Sequence, residues 1–306
     1  MDDNLDFIDK TTNTKLLMFK GTAEIEFDTD IGLPYFEKAA ELGDIKAMMY
    51  LGKHYYHEKE CSDGDEEVVA VKLMKEYYLK VVKLTNSNIE VMLELGQIYE
   101  EEGNYDMMKR FYIQACEFDS TIAMEKLGQY YLHVENKPTV MIKYLEQAIE
   151  IILNKCYNLA FYSSPFLYLA KYYRRVKEYE LMKKYYLLII EKGCLRGMRL
   201  LGCYYRDVEK NYDLAIKYLK QATMGGWYGT ETLHDLGCTY RDMKDYDNMK
   251  INFEKAIVDD NSLYSFCKNG NTLVEFAIYY RDIEKNYELM KNNLCRWAIR
   301  SRCTCL

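Results

Sequence analysis

Leu201-Gly202-Cys203-Tyr204-Tyr205-Arg206-Asp207 contains the pattern that decides the fold, a Leu, a small residue and a Tyr four positions after the Leu. The same trio stands at Leu51, Gly52, Tyr55; Leu95, Gly96, Tyr99; Leu127, Gly128, Tyr131; Leu169, Ala170, Tyr173; Leu236, Gly237, Tyr240; and Phe276, Ala277, Tyr280. Successive small residues are 44, 32, 42, 32, 35 and 40 residues apart, the period of two-helix repeats that stack into solenoids. Leu and Tyr four apart share one helix face, and a residue four before the Leu (Ala47, Val91, Ala123, Gly197, Thr232) extends it. Gly inside a helix costs about 1 kcal/mol relative to Ala, so its return at one place implies that a neighbouring helix comes close there.

A second helix is predicted after each trio, from Tyr77-Tyr78-Leu79, Phe111-Tyr112-Ile113, Tyr144-Leu145, Tyr185-Tyr186-Leu187, Tyr218-Leu219, Phe253 and Leu294. Asn104-Tyr105-Asp106, Asn211-Tyr212-Asp213 and Asn286-Tyr287-Glu288 announce its start, with Asn as the cap and the acid facing the positive helix end. A helix of this second kind at Tyr35-Phe36-Glu37-Lys38-Ala39-Ala40 precedes the first trio and leaves 1–30 as a divergent cap or partly ordered tail.

With 306 residues and three prolines, the chain is expected to fold as one array grown by nearest-neighbour contacts. The 41 basic and 48 acidic residues give a net charge of −7, which argues against generic nucleic-acid binding. No long apolar run and an acidic start predict a soluble, intracellular protein. Ten cysteines lack the spacing of a disulfide or zinc framework, so buried thiols in a reducing compartment are expected, with Cys194 and Cys203 the one pair placed to bridge neighbouring helices.

Ala47-Met48-Met49-Tyr50-Leu51-Gly52 on a first helix and Ala215-Ile216-Lys217-Tyr218-Leu219-Lys220-Gln221-Ala222 on a second resemble the Sel1-like repeat family, the longer-period relatives of tetratricopeptide repeats. The resemblance covers 31–300, with 301–306 a short tail. It implies an all-α, right-handed superhelical solenoid of seven to eight helix-turn-helix repeats and a non-enzymatic protein-interaction scaffold without cofactors. The Met-Lys variant at Met107, Met182 and Met290 is similar to repeat proteins encoded by giant viruses of amoebae, which would place the chain in the host cytoplasm. Met107, Met182, Met249 and Met290 replace an expected Ala and predict more loosely held helix pairs, while 57–67, 154–164 and 259–272 are expected to be loops.

In such repeats the first helices line the concave face. Five positions after the Leu stand Tyr56, Glu100, Leu132, Arg174, Arg206, Arg241 and Arg281, so four arginines, with Lys171 and Arg199 beside them, form a candidate groove for an acidic protein segment. The competing reading is that Arg206, Arg241 and Arg281, each followed by Asp207, Asp242 or Asp282, pair with acids of the next repeat.

Two further features carry chemistry. Cys303-Thr304-Cys305-Leu306, with Arg296, Arg300 and Arg302 upstream, has the spacing of a prenylation signal on Cys303 and would tether the chain to a membrane. His54, His57 and Cys61 lie at helical intervals as a weak zinc candidate, outweighed by a polar helix end. A hydrolase like some bacterial Sel1-like proteins is disfavoured because their regular cysteine pair is absent and no catalytic Ser/His/Asp spacing stands out. Tyr130, Tyr172, Tyr204 and Tyr279 are read as interhelical packing and not as base-stacking platforms.

Overall fold

The computed structural model describes residues 8, 12–25, 29–61, 65–155, 162–223, 229–258 and 270–302. Among them are sixteen α-helices and no strand, and the chain divides into two compact units, Met1–Asn154 and Lys155–Leu306. The first unit contains α1 (Thr14–Ile25), α2 (Thr29–Glu41), α3 (Ile45–Cys61), α4 (Asp65–Thr85), α5 (Ile89–Glu101), α6 (Tyr105–Cys116), α7 (Thr121–His133) and α8 (Pro138–Asn154). The second contains α9 (Ser164–Arg175), α10 (Tyr179–Ile190), α11 (Leu195–Tyr204), α12 (Tyr212–Ala222), α13 (Gly229–Asp242), α14 (Tyr246–Val258), α15 (Gly270–Asp282) and α16 (Tyr287–Arg302). Odd and even helices pair as helix-turn-helix hairpins, and each hairpin packs on the next within its unit. The all-α helix-pair repeats expected from the trio are observed, with eight helix pairs among the described residues, four in each unit.

The small residue of the trio lies under a large side chain of the second helix. A Cβ at Gly52, Gly96 or Gly237 would collide with the ring of Tyr78, Tyr112 or Phe253. At Gly202 it would stand 2.8 Å from Leu219 Cγ, and at Gly128 3.2 Å from Leu145 Cγ. The trio's Tyr stacks on an aromatic of the same second helix, 5.7 Å between centroids for Tyr99 on Phe111, Tyr131 on Tyr144, Tyr173 on Tyr185 and Tyr205 on Tyr218, with planes within 8° of parallel. The trio tyrosines are therefore hairpin packing, while Tyr130, Tyr204 and Tyr279 pack on Tyr105, Tyr179 and Tyr246 of the preceding second helix.

From α5 onward the hairpin turns alternate between two forms. After α5, α9 and α13 the cap residue donates its N–H to the trio Tyr, Asn104 to Tyr99, Glu178 to Tyr173 and Asp245 to Tyr240, each at 2.9 Å, across a left-handed Gly103, Lys177 or Lys244. After α7, α11 and α15 the turn is one residue longer. Lys137 donates to Tyr131, Asn211 to Tyr205 and Asn286 to Tyr280, across left-handed Asn136, Lys210 and Lys285. In α11 the longer turn is a π-helical segment over Tyr205–Glu209. The extra residue carries Glu135, Glu209 or Glu284 back over its own helix. There Tyr204 and Tyr279 donate hydroxyls to Glu209 and Glu284 at 2.8 and 2.7 Å. A lysine from the preceding second helix completes the joint: Lys109 on Glu135 at 3.4 Å, Lys183 on Glu209 at 3.2 Å, and Lys250 on Glu284.

The predicted caps are present, Asn104, Asn211 and Asn286 accepting from the N–H groups of Met107, Leu214 and Leu289. The expected loop at 57–67 is instead mostly helix, because α3 runs on to Cys61 and α4 starts at Asp65. Most of 154–164 and 259–272 lies outside the described residues. Within 1–30, α1 pairs with α2, and Gly21 sits 2.7 Å from the Phe36 ring by the same Cβ measure, a hairpin without the Leu-Gly dipeptide. Met182 and Met249 are fully buried. Cys194 and Cys203 are free thiols, and no disulfide joins them.

Gly96→Ala is expected to destabilise the chain by about 1–2 kcal/mol, since the buried Tyr112 ring must move, whereas Gly128→Ala stays within about 0.5 kcal/mol because helix propensity offsets the mild crowding by Leu145. Urea unfolding of both variants checks the ordering. Hydrogen bonds from Lys250 and Tyr279 hold the Glu284 carboxyl below the usual glutamate range, so its contribution is present above about pH 4.3 and is lost as pH falls through the folded value. The melting-temperature gap between wild type and Glu284→Gln should therefore shrink between about pH 7 and pH 3. A gap that does not change with pH would contradict this joint.

Candidate functional site

Charge separates the two units. Residues 1–154 hold 16 Lys/Arg against 30 Asp/Glu, net −14, while 155–306 hold 25 against 18, net +7. Ten of the eleven arginines lie in the second unit, so the planar forks suited to carboxylates are concentrated there.

The arginine row forms a ladder of carboxylate pairs between repeats. Arg174 Nη2 lies 3.1 Å from Asp207 Oδ2, and Arg206 Nε donates to the same carboxylate at 2.7 Å. Arg206 also reaches the Asp235 carbonyl at 3.1 Å, and Arg199 holds Glu231 at 2.6 Å and Asp235 at 3.4 Å. Arg241 pairs with Glu275 and, at 3.0 Å, with Asp242. Arg281 is bidentate on its own neighbour Asp282, at 2.7 and 2.9 Å. Burial opposes ionisation of Asp207, but the hydrogen bonds and charges of Arg206 and Arg174 outweigh it and hold its carboxyl below the usual range.

The register follows a rule: the residue five after the Leu meets the residue just before the Leu of the next repeat. Arg206 meets Asp235 and Arg241 meets Glu275 in this way. In the first unit Glu100 meets Lys126 at 3.4 Å, with the charges exchanged. Arg174 finds Leu200 at that place and turns to Asp207 instead. Exposure separates the row, since the Arg206 side chain is 13% exposed and Arg199 21%, against 33% for Arg174, 36% for Arg241 and 55% for Arg281. Lys171 is exposed and pairs with none of the described residues.

The other sequence candidates separate as well. His54 Nε2 lies 3.1 Å from Glu58 Oε1, His57 packs edge-on against Tyr56, and Cys61 is exposed. No three potential metal ligands converge among the described residues. Cys303 lies outside the described residues.

A cluster that sequence spacing did not reveal joins Cys238 Sγ, 3.5 Å from His234 Nε2, with His234 Nδ1 2.9 Å from Thr272 Oγ1. Its order is that of a nucleophile, a base and an orienting group. Burial pushes the Cys238 thiol up to about 12 and the His234 imidazole down, so the pair is neutral and supplies no thiolate. The only sequence signal for it is the four-residue spacing of His234 and Cys238, and Thr272 joins from the following repeat.

No helix among the described residues is long and apolar enough to cross a membrane. A tetratricopeptide-repeat family model matches 89–122 and 230–257, both beginning on hairpins with the shorter turn. No curated protein sequence matches. Among solved structures, a protective antigen of uropathogenic Escherichia coli with an SLR fold is similar at TM-score 0.57 and 17% identity, over 94% of this chain and 68% of that one. The C-terminal part of a TPR repeat-containing protein from Cytophaga hutchinsonii is similar at TM-score 0.52 and 14% identity, over 82% and 93%. A Sel1 repeat protein from Oxalobacter formigenes aligns at TM-score 0.47 and 18% identity, over 77% and 97%. The two matched segments are thus similar to tetratricopeptide repeats, and the helix-pair fold is that of the SLR and tetratricopeptide structures.

Proposed function

We propose that this protein is a non-enzymatic interaction scaffold whose C-terminal unit receives an acidic segment of a protein partner. The observation that carries the reading is the gathering of ten arginines in a unit of net charge +7, half of the row remaining accessible. Repeat solenoids of this kind generally serve as protein-binding scaffolds. Exposed ion pairs contribute about 0–1 kcal/mol, so an incoming carboxylate displaces Asp242 or Asp282 at little cost. Arg281, Arg241, Arg174 and Lys171 are then the contacts, while Arg206 and Arg199 hold the repeats together. A ladder of such exchanges gives weak contacts that add along an extended acidic segment.

The double variant Lys171→Glu/Arg281→Glu should weaken binding of a fluorescent poly-glutamate peptide about tenfold or more at low salt, with the circular dichroism unchanged. Equal binding by the variant and the wild type would remove the groove. The site of action proposed is the cytoplasm, that of an infected host by the resemblance to giant-virus repeat proteins.

A second reading, a membrane tether through a lipid on Cys303, has Arg296, Arg300 and Arg302 as its support. Intact mass from a eukaryotic host decides it: an added isoprenoid that disappears in Cys303→Ser establishes the tether, and an unmodified mass rejects it.

A further inference from the structure

Four second helices share one sequence pattern, a Tyr at the first position, Met three later and Lys four later: Tyr105, Met108, Lys109 in α6; Tyr179, Met182, Lys183 in α10; Tyr246, Met249, Lys250 in α14; and Tyr287, Met290, Lys291 in α16. In the first three the following first helix closes over this face in one geometry. Its Tyr130, Tyr204 or Tyr279 packs on the leading Tyr at centroid distances of 5.2, 5.3 and 5.2 Å and interplanar angles of 45°, 47° and 45°. The lysine ammonium lies over that second ring at 5.5, 6.0 and 5.1 Å, and the Glu five residues after the ring pairs with the lysine.

Further along the same three helices the apolar positions are buried, Tyr112 and Phe253 on Gly96 and Gly237 of their own hairpins, with Phe253 also against Phe276 and Ile189 against Gly197 of the following helix. Three residues after the leading Tyr, Met108, Met182 and Met249 are each 0% exposed. Seven after it, Tyr112, Tyr186 and Phe253 are 1%, 1% and 0% exposed, and ten after it, Ala115, Ile189 and Ala256 are each 0%. On α16 the matching Tyr287 is 58% exposed, Leu294 38% and Trp297 40%, and Lys291 is exposed. The large Trp297 stands where the closed joints hold Ala or Ile, and an exposed Trp ringed by polar groups is the usual anchor of a protein interface. The basic side chains Lys291 and Arg296 flank it, and no acid follows Glu288 on this helix.

We infer that the outer face of α16 is an open copy of the chain's own inter-repeat joint and docks the end of a partner protein's helix that carries a Tyr and an apolar stripe on one face and runs into a turn that returns a Glu, five residues after the Tyr, to that face. The three closed joints define this complement: the partner Tyr packs on Tyr287, its Glu meets Lys291, and its apolar stripe covers Leu294 and Trp297. A second copy of this chain does not supply the complement while folded, because its three Tyr-to-Glu helices, α7, α11 and α15, are already engaged with α6, α10 and α14. This surface is separate from the arginine row and stands whether or not that row binds acidic segments.

The probe is a fluorescent peptide of residues 119–137, which contains Tyr130 and the turn that returns Glu135, held helical over 121–133 by a staple on its outward face and titrated with the full chain. Saturable binding is expected, weakened about tenfold or more by Trp297→Ala and by Lys291→Glu, and restored in the Lys291→Glu chain when the peptide carries Glu135→Lys. Both protein substitutions are on exposed side chains, and matching circular dichroism confirms that the variants fold. Absence of binding, or binding indifferent to both substitutions, overturns the inference. Concentration-dependent dimerisation of the chain alone that Trp297→Ala abolishes would also overturn it, by making a second copy the occupant.

Discussion

The close approach of a second helix to the small residue of the first is the constraint from which the rest follows. Tyr78, Tyr112 and Phe253 lie where a Cβ of Gly52, Gly96 or Gly237 would be, so these hairpins close only with glycine there. The helix propensity lost by glycine, about 1 kcal/mol each, is offset by burying a whole aromatic ring against backbone. The closeness also brings the trio Tyr into parallel stacking with the second helix, which fixes the rotational setting of the two helices. Where the covering residue is Leu145 or Leu219, the approach is less close and the same trio-Tyr stacking, Tyr131 on Tyr144 or Tyr205 on Tyr218, keeps the setting.

Turn length then decides how one hairpin joins the next. The shorter turn ends its helix at a single left-handed residue. The longer one adds a residue, and the Glu it carries back becomes the acceptor for a tyrosine of its own helix and a lysine of the preceding hairpin. A one-residue change in a surface turn thus installs a charged, aromatic joint at every second junction from α5 onward. Placing these charges around partly buried rings keeps them apart from the bulk of the solvent, so they specify register more than they add stability.

Charge divides the two units. The first unit is acidic and holds one arginine, and the second is basic and holds the other ten. In both, the residue five after the Leu meets the residue before the next Leu, with the sign of the pair reversed. The same backbone position therefore joins neighbouring repeats at Glu100, Arg206 and Arg241. The neutral Cys238 and His234 pair shows the opposite case, an arrangement with catalytic order whose burial removes the reactive ionic form.

The sequence by itself determined the helix pairs, their number to within one, the glycine contact and the caps at Asn104, Asn211 and Asn286, because each depends on residues a few positions apart on one helix or turn. It also placed the arginines in one row. Tertiary structure alone decided what that row does, since Arg174, Arg206 and Arg241 meet acids 33, 29 and 34 residues away, and no local pattern distinguishes a paired guanidinium from a free one. The first hairpin escaped the sequence reading because α1 has Lys20-Gly21 in place of Leu-Gly, so only the packing of Gly21 on Phe36 reveals its kinship. The open face of α16 needed both levels: the repeated Tyr, Met and Lys are legible in the chain, but that one of four such faces stays uncovered is a property of the packed molecule.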